Sequence, residues 1–205
     1  MASFTSDVIL LCLTHDGAWA GGGTGPSEAA GAAALADAVL SGAVLLGERG
    51  VEVVDVARLP ARFGAVLERT SELGAVVDEL GEDELDGALD ELESRGVVSV
   101  IRSKFLGMFP TVRITVLDDA PRSALVAELA ALVEGRQAEP HAALAFSILD
   151  AARILPFVLK VPEERRAAIL RGAIDAGGVA EGAARSLEQL RVAVYTTVFS
   201  AGPLL

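Results

Sequence analysis

A chain of 205 residues is long enough to bury a sizeable core. Its formal net charge of −12 argues against a general nucleic-acid binder, because phosphate backbones are held by clustered Lys and Arg, and it weakens simple electrostatic attachment to anionic membranes. Hydrophobic residues make up 52% of the chain but aromatics only 4%, so the core must be built from Ala, Leu and Val, a mix that favours packed helices.

In chain order, Thr5 or Ser6 can cap a short apolar element through Val8, Ile9, Leu10, Leu11 and Leu13, which period alone leaves open between helix and buried strand. Its Cys12 is the single cysteine, which excludes an internal disulfide, suits a reducing compartment and reads as core filler. No basic flank precedes this run and Asp7 stands at its start, so a cleaved signal is not expected. A glycine-dense loop, AWAGGGTGPSEAAG, follows, and Ser27 precedes an Ala-rich helix carrying Leu35, Val39 and Leu40 that stops near Gly42. Ala29 to Leu46 is the longest apolar stretch, but Asp37 interrupts it, and nothing reaches the roughly 20 apolar residues of a spanning helix. Val44 to Leu46 and Val51 to Val56 flank GERG as a small hairpin.

Between Arg58 and Leu80 the pattern fits short helices interrupted by Gly64 and Gly74. After Gly81, Leu85, Leu89 and Leu92 form one stripe, with Glu82, Asp83, Glu84, Asp86, Asp90, Glu91 and Glu93 on the remaining faces, and the helix ends at Arg95 and Gly96. This acidic face is a solvated surface or a docking face for a basic partner. Val97 to Ile101 and Val112 to Val116 are then β-branched runs around a tip of Phe105, Leu106, Gly107, Met108, Phe109 and Pro110. This hairpin carries Arg102, Lys104 and Arg113 and no acid, although acids outnumber bases 29 to 17 over the chain. Pro121 starts a helix striped by Leu125, Leu129 and Leu132 and closed by Gly135. Pro140 opens HAALAFSILDAARIL, apolar on nearly every side and suited to a bundle centre. Glu163 to Asp175 and Val179 to Phe199 read as two last helices. The fold class is therefore mainly α, a helical bundle with small β-hairpins, in a single domain spanning residues 1–205, soluble and cytoplasmic.

Few residues suggest catalysis. His15 and His141 are far apart and in no zinc-helix spacing, no serine sits in G-x-S-x-G, and no cofactor or metal is implied. The loop from Gly21 to Gly25 imitates a dinucleotide fingerprint, yet Pro26 stands where the third glycine would be needed and no Lys follows, so a nucleotide-binding enzyme ranks last. The hairpin tip is the sharper signal. Large apolar side chains at an apex either fold back onto the core or wait for a partner, as a membrane-insertion wedge or an oligomer contact.

The order ELESRGVV, KFLGMFPTVRITVLDD, APRSALVAELAALV closely resembles the Golgi phosphoprotein 3 family, especially its shorter bacterial members. LADAVLSGAVLL, Leu35 to Leu46, resembles the family's earlier Leu-rich helix, and DVILLCL its opening helix; Arg58 to Gly81 is shortened or diverged. The resemblance implies a non-catalytic, peripheral membrane adaptor of the type that binds phosphatidylinositol 4-phosphate, with the apolar hairpin inserting into membranes or self-associating. It places Trp19 near the family's headgroup-binding tryptophan. The family's headgroup arginines fall at about Ala30 or Gly31 and at Glu82 and Leu85, so those charges are missing here and weigh against a phosphoinositide. Trp19, Arg102, Lys104 and Arg113 are the residues expected at a lipid headgroup, and Phe105, Leu106, Met108 and Phe109 those expected to insert or oligomerise. The partners expected are an anionic lipid surface on the inner face of a membrane, or a second copy or protein partner through the hairpin, and no nucleic acid.

Overall fold

The computed structural model describes residues 3–22, 25–47, 50–105, 109–136 and 140–175, with Gln189, Val192 and Val194; at 104–105, 109–110, 140 and 173–175 the description is of the backbone. The expected last helix, Val179 to Phe199, falls almost wholly outside the described residues. The domain is mainly helical, with two separate two-stranded antiparallel sheets.

The first apolar run is a helix, α1 (Phe4–Cys12), and it is the axis of the bundle. Val8, Ile9, Leu10, Leu11, Cys12 and Leu13 are all buried, which a strand with one outward face would not allow. Its cap is Ser3, two or three residues before the Thr5 or Ser6 expected: Ser3 Oγ accepts from Ser6 N–H at 3.2 Å. The reason is a small polar network, in which Ser3 Oγ and Ser6 Oγ both donate to Glu91, at 2.6 and 2.8 Å, so Ser6 is used sideways rather than as a cap. Burial pushes the Cys12 thiol well above its ordinary range, consistent with a packing role.

Helix α2 (Pro26–Leu40) begins on Gly25 with proline in its first turn, a residue or two before the expected Ser27 start. It ends in a Schellman turn, with Ala43 N–H to Ala38 O and Gly42 N–H to Val39 O. The turn feeds β1 (Val44–Gly47), which pairs with β2 (Gly50–Val53). After a 3₁₀ turn capped by Asp55 come α3 (Ala61–Arg69) and α4 (Leu73–Ser94).

Gly64 and Gly74 do not interrupt helices, as the sequence suggested, and α4 runs unbroken through Gly81 for 22 residues. Packing explains the glycines better than breaking does. A Cβ on Gly81 would lie 2.5 Å from Ser27 Oγ, and one on Gly31 only 2.1 Å from the Val77 carbonyl oxygen. The two glycines let α2 and α4 cross almost backbone to backbone.

The rest of the chain is β3 (Val98–Phe105), β4 (Phe109–Val116), α5 (Ala120–Val133), α6 (Pro140–Ala151), α7 (Leu155–Val158) and α8 (Glu163–Asp175). Helices α2, α4, α5 and α6 surround α1. Helix α6 is buried as its composition suggested but stops at Ala151, short of the Leu155 expected, because Arg153 takes φ 62° and Ile154 N–H turns back to Leu149 O. None of the described helices is long and apolar enough to cross a membrane.

Candidate functional site

The ribbon β3–β4 starts from a strictly built corner. Gly96, at φ 71°, closes α4 with Gly96 N–H to Glu93 O at 2.9 Å and Val97 N–H to Leu92 O at 3.0 Å, a Schellman geometry that turns the chain directly into β3. Val97, Val98 and Ile114 are buried, Leu117 N–H bonds Val97 O, and the turn at Gly17 presses so close to Ile114 that a Cβ there would lie 2.2 Å from its carbonyl oxygen. These contacts fix the root of the ribbon in the core.

Beyond the root the surroundings change. Ile101 is 56% exposed and Val112 52%, and Arg102, Ser103, Thr111 and Arg113 are exposed too. Ser103 and Thr111, partners in the register, share a 2.7 Å hydroxyl hydrogen bond, so the distal part stays paired while it leaves the body. The strands are longer than the β-branched runs suggested: the ladder continues through Lys104 opposite Pro110 and Phe105 opposite Phe109, leaving Leu106 to Met108 as the connection. Leu106 and Met108, with the side chains of Lys104, Phe105 and Phe109, lie outside the described residues.

The cationic residues are divided by the pleat. Arg102 pairs with Val112 and Arg113 with Ile101, and since successive side chains alternate in a strand, the two arginines project from opposite faces. One headgroup docked on a single face would meet one of them, whereas a surface met end-on by the ribbon would meet both. Arg102 Nη2 donates to Asp90 Oδ1 at 2.8 Å and stands 3.5 Å from Asp86 Oδ1, and the Asp90 hydrogen bond holds the guanidinium firmly protonated. Glu93 accepts from Val100 N–H at 2.8 Å, so α4 also covers the rooted part of the β3 edge. Neither α4 contact follows from the periodicity of the sequence, where the one signal is a pair of carboxylates spaced by four on the helix preceding an acid-free strand.

Trp19 is not on the ribbon's distal part. It pairs with Leu13 as an isolated bridge and packs half-buried against the core, beside the turn that abuts the root. Ala30 and Gly31 are buried on α2, Glu82 is exposed and Leu85 half-buried on α4, so these positions supply no cation. At the end of the glycine loop Gly25 is backed by Ala152, whose carbonyl oxygen would be 2.7 Å from a Cβ, and an antiparallel hairpin follows α2 where a dinucleotide fold has a parallel strand. Two cavities of about 570 Å³ flank Asp37. One holds the Arg62–Glu84 pair, with hydrogen bonds of 2.7 and 3.0 Å, and the other is lined by Asp7, Glu128 and His141. Burial pushes the Asp37 carboxyl up to about 6. Among the described residues no cluster of three or more His, Cys, Asp or Glu could hold a metal ion.

The family model described as Golgi phosphoprotein 3 (GPP34) matches residues 5–192, from α1 past the end of α8. The chain belongs to the Golgi phosphoprotein 3 family. No curated protein matches it. Golgi phosphoprotein 3 proteins are generally non-enzymatic adaptors. Helical body and paired hairpins are both present here as the family resemblance implied.

Proposed function

We propose that this chain is a non-enzymatic peripheral adaptor that meets the inner face of a membrane with the distal part of β3–β4, using unspecialised negative surface charge rather than a phosphoinositide headgroup. The observation that carries the reading is the contrast within the ribbon: a root buried at Val98 and Ile114, and a distal half with Ile101 and Val112 more than half exposed beside Arg113. Both side chains are already about half buried, so removing the rest of their surface from water is worth roughly 1 kcal/mol each, and an adjacent cation adds about 1 kcal/mol near an anionic surface. Leu106, Met108 and Phe109 extend the same element and act as its wedge in this reading. The absence of arginine at Ala30, Gly31, Glu82 and Leu85 supports the generic lipid over the phosphoinositide.

Co-sedimentation with vesicles of phosphatidylcholine and phosphatidylserine tests it. Ile101→Ser with Val112→Ser is expected to lower partitioning about ten-fold or more, as is Ser at Leu106, Met108 and Phe109 together. Equal recovery of wild type and both variants would sink insertion. A second reading, self-association through the ribbon, is favoured by one observation: among the described residues β4 has no second strand beside it, so its outer edge is available to another copy. Light scattering separates the two, since a dimer that forms without lipid and is lost in the same variants supports the second. A monomer at micromolar concentration that binds no vesicles removes both.

A further inference from the structure

The acidic helix and the basic ribbon are not independent surfaces. Asp86 and Asp90 lie one turn apart on α4, and both reach the one guanidinium of Arg102. The three side chains are exposed, at 69%, 65% and 43%, so the contact contributes little to holding the ribbon, which Val97, Val98 and Ile114 already anchor. Its effect is electrostatic. It neutralises a cation on the face of the ribbon toward α4 and leaves two carboxylates beside it, where an anionic surface would be repelled. Arg113, on the other face, is exposed and has no carboxylate partner among the described residues.

We propose that α4 is a built-in competitor for Arg102: Asp86 and Asp90 mask the guanidinium in the free protein, and an anionic lipid surface must be charged densely enough to take it from them. The inference rests on the membrane reading above and adds its regulation. Arg113 is then the unconditional contact and Arg102 the conditional one. Surface charge density, rather than a particular headgroup, decides when the second engages. Exposed pairs suit such a role, because an equilibrium that a surface can tip must be closely balanced.

The test is vesicle partitioning across a graded fraction of phosphatidylserine, with the full chain and thermal unfolding run on each variant. Asp86→Asn with Asp90→Asn is expected to raise partitioning about five-fold at low phosphatidylserine, one cation's worth of surface attraction, and to move the binding curve to lower charge density. Arg113→Gln is expected to weaken binding at every composition, and Arg102→Gln only at the dense end. The deciding arm repeats the two Asn substitutions in an Arg102→Gln background: removing the two carboxylates relieves their own repulsion there too, so the gain must be several-fold larger with Arg102 present than without it. An equal gain in both backgrounds, or no gain in the presence of Arg102 while wild type still binds, overturns the competitor. Absence of binding by wild type and by the Asn variant at every composition overturns the membrane reading itself, and the competitor with it.

Discussion

The molecule carries two antiparallel ribbons, and they differ in what holds their far ends. In β1–β2 the strands are four residues long and the tip region is strapped down: Val51 N–H bonds Ser71 O at 2.8 Å, and Gly50, at φ 111°, lies where a Cβ would be 1.9 Å from that same oxygen. In β3–β4 the strands are eight residues long and, among the described side chains, the body buries only those of the first few pairs. Identical pairing thus produces a brace in one place and a projection in the other. The difference lies in length relative to anchorage, and in charge: Glu52 stands on the brace, Arg102 and Arg113 on the projection.

The comparison breaks most visibly at Gly50. Gly50→Ala adds a methyl into a backbone oxygen at a φ that side chains resist, and a loss of roughly 2 to 4 kcal/mol is expected in urea unfolding. Next is the root of the projection: Ile114→Ala, which empties a buried site, should cost about 3 kcal/mol. Gly96→Ala sharpens the contrast, because φ is again positive but the added Cβ meets open space, so only about 1 kcal/mol is expected. The smallest effect belongs to the distal pairs: Ile101→Ser with Val112→Ser should leave stability within about 0.5 kcal/mol while lowering vesicle partitioning about ten-fold or more. A large stability loss there would show that the distal ribbon is packed in solution, against its exposure here.

Much of this was legible in the sequence. Leu89 and Leu92, Leu129 and Leu132, and the apolar α6 lie where their periods place them, and both ribbons stand where β-branched runs flank turn residues. What failed was reading Gly64 and Gly74 as interruptions, although Gly42, Gly96 and Gly135 do close helices as expected. Gly81 is a contact residue whose purpose depends on Ser27, more than 50 positions away, and no local window contains it. The undecided α1 had the same origin, since a run buried on all sides has no period to read. At the candidate site the ribbon and its cations were visible, but their division between two faces was not, because it depends on the register. The pairing of Arg102 with Asp86 and Asp90 needs the angle between α4 and β3, which the turn at Gly96 sets.

One consequence follows from Glu93 accepting the Val100 amide. Near the root, a carboxylate of the helix thus already occupies an amide that a further strand would need, so a second copy can align there only along the outer strand, and any longer stacking has to begin in the half that stands clear of the body.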